Sequence, residues 1–62
     1  MEQNDNGTLR YPGADYFYVD VIIRHVEMTE DCGTMIDDSR FNQGNYFHTR
    51  GEAEAHLGKV AY

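Results

Sequence analysis

DYFYVDVIIRHVEM, residues 15–28, is the chain's densest run of aromatic and β-branched residues. Such residues favour a pleated, half-buried strand. Alternation sorts the run into two faces. Phe17, Val19, Val21 and Ile23 form a wholly apolar set, the expected core face. Tyr16, Tyr18, Asp20, Ile22, Arg24 and Val26 form a mixed set, expected to be half-exposed or to meet a partner. A helix would scatter Asp20 and Arg24 among the aliphatics and leave no apolar stripe, so a strand is predicted.

Turn formers flank the run. Upstream, Asn4, Asp5, Asn6, Gly7 and the pair Pro12-Gly13 mark residues 1–13 as a lead-in with a frayed start. Downstream, TEDCG at 29–33 reads as a turn. Thr34-Met35-Ile36 follows as a short second strand, antiparallel to the first. After Asp37-Asp38-Ser39, a third extended segment is predicted at 45–48, entered through Gly44-Asn45. Tyr46 and Phe47 would point to opposite faces, so at most one of them is expected in the core.

Thr49-Arg50-Gly51-Glu52 fits a capping box, in which the Thr49 hydroxyl accepts from the Glu52 amide and the Glu52 carboxylate reaches back to the Thr49 amide. Ala53, Leu57 and Val60 then recur at helical spacing. Gly58 is a candidate stop, leaving residues 59–62 irregular. A helix of about ten residues is unstable alone and must dock. The expected fold is α+β: a two- or three-stranded antiparallel β-meander with one C-terminal helix packed on one face, as a single small domain over residues 1–62.

Composition bounds the function. The chain has 62 residues, with eleven Asp plus Glu against five Lys plus Arg, a net charge of −6. So short a chain has little to spare for both a core and a pocket, which disfavours a self-contained enzyme. The shortage of cations disfavours direct nucleic-acid binding. The longest apolar run, Val21-Ile22-Ile23, is far from the ~20 residues of a membrane span, and the start lacks a secretory pattern. Cys32 is the only cysteine, which fits a reducing compartment. A cytoplasmic protein with no membrane partner is expected.

The candidate chemistry is sparse. His25, His48, His56 and Cys32 have no metal-ligand spacing, so neither a metal site nor a cofactor is expected. His56 is expected to pair with Glu52 across one helical turn. Glu30 and Asp31 flank Cys32 and would raise its thiol pKa, the wrong direction for a nucleophile. Asp37 and Asp38 point apart in an extended turn and are not held for acid–base work.

Charge is more informative. Glu27, Glu30, Asp31, Asp37 and Asp38 fall within twelve residues that contain no Lys or Arg. That run is either a solvated turn or an acidic patch steering the chain onto a basic surface. Tyr16 and Tyr18, on one strand face, would be its aromatic anchors, with Tyr11 and Tyr62 near the ends.

Residues 37–59, DDSRFNQGNYFHTRGEAEAHLGK, resemble a recurrent pattern in small uncharacterised proteins of phages and prophages. Its elements are an acidic turn (Asp37, Asp38), an aromatic after Arg (Arg40, Phe41), then Gly44, Asn45, Tyr46 and Phe47, then Thr49 and the helix start Glu52, Ala53, Glu54. The resemblance implies a phage-type context and a strand–turn–helix ending, and carries no chemistry. The combined expectation is a small acidic protein-binding module: an anti-CRISPR-like inhibitor or modulator that meets a basic surface of a host nucleic-acid-handling complex through Glu27, Glu30, Asp31, Asp37, Asp38, Tyr16 and Tyr18. The alternative is a homodimeric accessory module, self-paired through Ile22, Val26 and the strand edge.

Overall fold

The computed structural model of the chain describes residues 3, 4 and 6–60, with Val60 by its backbone alone. Tyr62 lies outside the described residues. Four elements follow in order: β1 (Asp15–Asp20), β2 (His25–Glu30), α1 (Met35–Asn42) and α2 (Arg50–Val60). The fold is α+β, with an antiparallel pair of strands and two helices.

The predicted single strand over 15–28 is in fact a hairpin. The Asp20 carboxylate accepts from the amides of Ile22 (3.0 Å) and Ile23 (3.4 Å), and Arg24 takes a left-handed conformation with φ 55°. A side chain that caps the turn and a positive φ at its end reverse the chain within four residues. Asp20 then pairs with His25, Val19 with Val26, Tyr18 with Glu27 and Phe17 with Met28. Val21, Ile22 and Ile23 are therefore at an exposed tip, and Val21 and Ile23 are not core residues.

Both hairpin faces are covered. On one, Val19, Val26 and the Ala53 of α2 form a buried cluster, with Phe17, Phe47 and Leu57 packed around it. Ala53 is fully buried, and its single methyl lets the helix approach the strands closely. On the other, Tyr16, Phe41 of α1 and Tyr46 form a second cluster, bordered by Tyr18. Tyr16 and Val26, expected on the half-exposed face, are both buried. Tyr46 and Phe47 do point to opposite faces. Because each face has its own core, Tyr46 is buried in one and Phe47 half-buried in the other.

The second helix replaces a predicted strand. Thr34 caps α1: its hydroxyl accepts from the Asp37 amide and the Asp37 carboxylate accepts from the Thr34 amide, a complete capping box. Asp37 and Asp38 sit in the first turn and Arg40 in the last, as the helix dipole favours. The end is equally defined. Gly44 has φ 77°, its amide donates to Phe41 O (3.1 Å), and the Asn45 amide donates to Arg40 O (2.8 Å). That double closure on a left-handed glycine is a Schellman motif.

The predicted third strand is reduced to one backbone pair. Phe17 and Phe47 exchange two hydrogen bonds of 2.8 Å. Beside them the Asn45 carboxamide accepts from Val19 N (2.7 Å) and donates to Val19 O (2.8 Å), so a side chain continues the ladder. At α2, the Thr49 hydroxyl accepts from the Glu52 amide as expected (3.2 Å), while the Glu52 carboxylate lies 3.1 Å from that same hydroxyl. The helix passes through Gly58 to Val60. The lead-in is docked: the Asn4 amide group donates to Phe41 O and that of Asn6 to Gly44 O.

Candidate functional site

The five carboxylates expected to form one acidic surface separate into two groups with different surroundings. Asp31 directly follows β2 and is buried. It receives a bidentate contact from Arg10, Nε to Oδ2 at 2.8 Å and Nη2 to Oδ1 at 3.0 Å, together with the Tyr46 hydroxyl (2.9 Å) and the Gly33 amide (3.1 Å). The Arg10 fork, against the opposing effect of burial and with help from Gly33 and Tyr46, holds the Asp31 pKa down at about 2. Arg10 extends the network to Asp38 (2.7 Å) and is itself held more firmly charged by both carboxylates.

Asp37 is also buried. Burial pushes its pKa up, but hydrogen bonds from the Tyr16 hydroxyl (2.6 Å), Thr34 and the Cys32 amide outweigh this, and the net direction is down. Tyr16 responds oppositely: burial, then its bond to Asp37, raise its phenol to about 12. The Tyr16 and Tyr46 rings stack at 4.3 Å, and each hydroxyl feeds one carboxylate. Arg40 lies 2.9 Å from the Tyr16 hydroxyl and stacks 3.7 Å above the Tyr18 ring.

Asp31, Asp37 and Tyr16 are therefore not on the surface, and Tyr18 is half-buried beneath Arg40. The physical reason is partnering: Arg10, distant in sequence, neutralises Asp31, and the α1 cap absorbs Asp37. Asp38 is exposed but bonded to Arg10. Glu27 and Glu30 alone of the five stay on the strand surface. Asp15 joins them, since it is exposed and directly opposite Glu30. The Cys32 thiol is exposed, and partial desolvation with Glu30, Asp37 and Asp31 raises its pKa, the direction expected. His56 packs against the Phe47 ring at 5.1 Å. No group of three His, Cys, Asp or Glu among the described residues is arranged to hold a metal ion, and no helix of them is long and apolar enough to cross a membrane.

A different surface emerges in its place. Among the described residues, the large exposed apolar side chains are Val21, Ile22, Ile23, Met28, Met35, Ile36 and Tyr11. All but Tyr11 lie in the single stretch 21–36, which runs from the hairpin tip along β2 into the start of α1. Met35 and Ile36, with Ser39 and Arg40, line an open groove of about 400 Å³. Of those in the stretch 21–36, Ile22 alone is expected at an interface from the sequence, while Val21 and Ile23 are expected in the core. The missed signal is a change of phase: on the face that α2 covers, the buried position is odd-numbered in β1 (Val19) and even-numbered in β2 (Val26), so one continuous strand cannot hold both on that face.

Compared with protein-family models, curated proteins and solved structures, the chain matches none.

Proposed function

We propose that the protein is a small protein-binding module whose docking surface is the stretch 21–36. One observation carries this: six large apolar side chains stay exposed along one contiguous stretch, although the chain has two cores in which apolar groups could be buried. Large apolar side chains left in solvent in this number, in so small a chain, point to interaction. Glu27 and Glu30 lie within the stretch, Asp15 stands opposite Glu30, and the net charge is −6, so the partner presents a basic surface.

The narrower reading, an inhibitor of a host nucleic-acid-handling complex, is supported by the phage-type resemblance of residues 37–59 and by this remaining acidity. It no longer draws on Asp31 or Asp37 as contact residues. The homodimer loses part of its basis, because Val26 is buried against α2, while Ile22 remains 87% exposed. Two copies would also each bring a charge of −6 to the interface.

Affinity capture from a host lysate tests the proposal, using wild type and an Ile22→Ser/Ile23→Ser double variant with an unchanged circular dichroism spectrum. A partner held by wild type at low salt, released at high salt and lost by the variant supports it. Identical capture by both chains overturns it.

A further inference from the structure

The two outer edges of the hairpin are treated differently. In β1, Phe17 and Val19 turn their backbone groups outward, and both are occupied, by Phe47 and by the Asn45 carboxamide. It follows from strand alternation that Tyr16, Tyr18 and Asp20 turn inward to Thr29, Glu27 and His25. The residues of β2 that face outward are then Val26, Met28 and Glu30. Val26 is 1% exposed, which closes the edge near the tip. Met28 is 54% exposed and Glu30 is exposed, and no strand among the described residues runs beside them.

An open edge is a template for another strand. The charges around it select which strand. Glu30 stands directly across from Asp15, a like-charged pair that weakens the sheet unless a cation lies nearby. Glu27 is on the opposite face with a side chain 42% exposed, 4.0 Å from His25. β2 carries no Lys or Arg. A second copy of β2 would add carboxylates to this edge, whereas a strand with alternating cations would neutralise them on both faces.

We propose that the Met28–Glu30 edge of β2 binds an extended, Lys- or Arg-bearing segment of the partner by strand addition. This rests on the docking surface inferred above and specifies how it engages. The N–H and C=O groups of Met28 and Glu30 would pair with the incoming backbone, and its cations would meet Glu30 with Asp15 on one face and Glu27 on the other.

The probe is a capped peptide of alternating Lys and Thr, read by amide hydrogen exchange and titration. At saturation the Met28 and Glu30 amides are expected to slow at least about tenfold, while Glu27 and Thr29, already paired to β1, change little. N-methylation of alternate peptide amides keeps the charge and is expected to weaken binding about tenfold or more. Glu30→Lys is expected to weaken the Lys peptide about fivefold and to favour a Glu/Thr peptide instead. Binding that leaves the Met28 and Glu30 amides unprotected, or that survives N-methylation, overturns strand addition but not the docking surface. No binding, with lysate capture still dependent on Ile22 and Ile23, does the same. Failure of both experiments overturns both proposals.

Discussion

The two faces of the hairpin are closed by opposite kinds of chemistry. Under α2, Val19, Val26 and Ala53 are joined by contact alone. Against α1, Tyr16, Tyr46 and Phe41 surround two buried carboxylates, an arginine and two phenols that bond to one another. The apolar face tolerates changes that conserve volume. The polar face is sensitive to the loss of any single partner, because what remains is a buried group without its complement. The lesson is that an acidic run need not be an acidic surface: of the five carboxylates between residues 27 and 38, Asp31 and Asp37 have been turned inward and used as mortar.

The sharpest way to break this contrast is Asp31→Asn, which removes the carboxylate that the Arg10 fork grips. It is expected to cost about 3 kcal/mol in urea unfolding. The same variant isolates the pH term. The Asp31 pKa is depressed in the fold, so its contribution is complete above about pH 4 and is lost as pH falls toward 2. Acid unfolding followed by circular dichroism should show that limb in wild type and a shallower one in Asp31→Asn. Val26→Ala attacks the other face. It should cost about 2 kcal/mol by leaving a void, with the acid limb unchanged in slope. Gly44→Ala comes next at about 1.5 kcal/mol, because the new methyl sits at positive φ and meets the Asn6 carboxamide. Tyr16→Phe should cost about 1 kcal/mol at neutral pH and remove an alkaline limb. The raised phenol pKa stabilises below about pH 10, and that stability is lost as pH rises through about 12. The smallest effect is a gain: Arg24→Gly relieves the left-handed turn position and should raise the unfolding free energy in urea by about 0.5 kcal/mol.

Much of the local structure was legible in the residues. Thr49 and Glu52 announced α2, Gly44 announced a reversal, and the run from 15 marked the sheet. Thr34 and Asp37 have the same cap spacing as Thr49 and Glu52. There the β-branched Thr34 and Ile36 point to a strand, and two aspartates that favour a helix start read in sequence as an interruption. The reversal at Asp20 was hidden because its loop is aliphatic, and the turn is made by one carboxylate and one positive φ rather than by Gly or Pro. The buried network was the least accessible feature. Arg10 reaches Asp31 across 21 positions, and nothing local to either residue indicates the other.

Asn45 sets the valence of the hairpin. Its carboxamide occupies the donor and the acceptor of Val19 at once, which a carboxylate at the same place could not do. Conversion of Asn45 to Asp, whether by substitution or by slow deamidation, would set oxygen against oxygen at Val19 and open the β1 edge at that residue. Among the described residues the Phe17–Phe47 backbone pair would then be the remaining closure on that side, so the ageing of a single amide would thin the seal of the β1 edge to two hydrogen bonds.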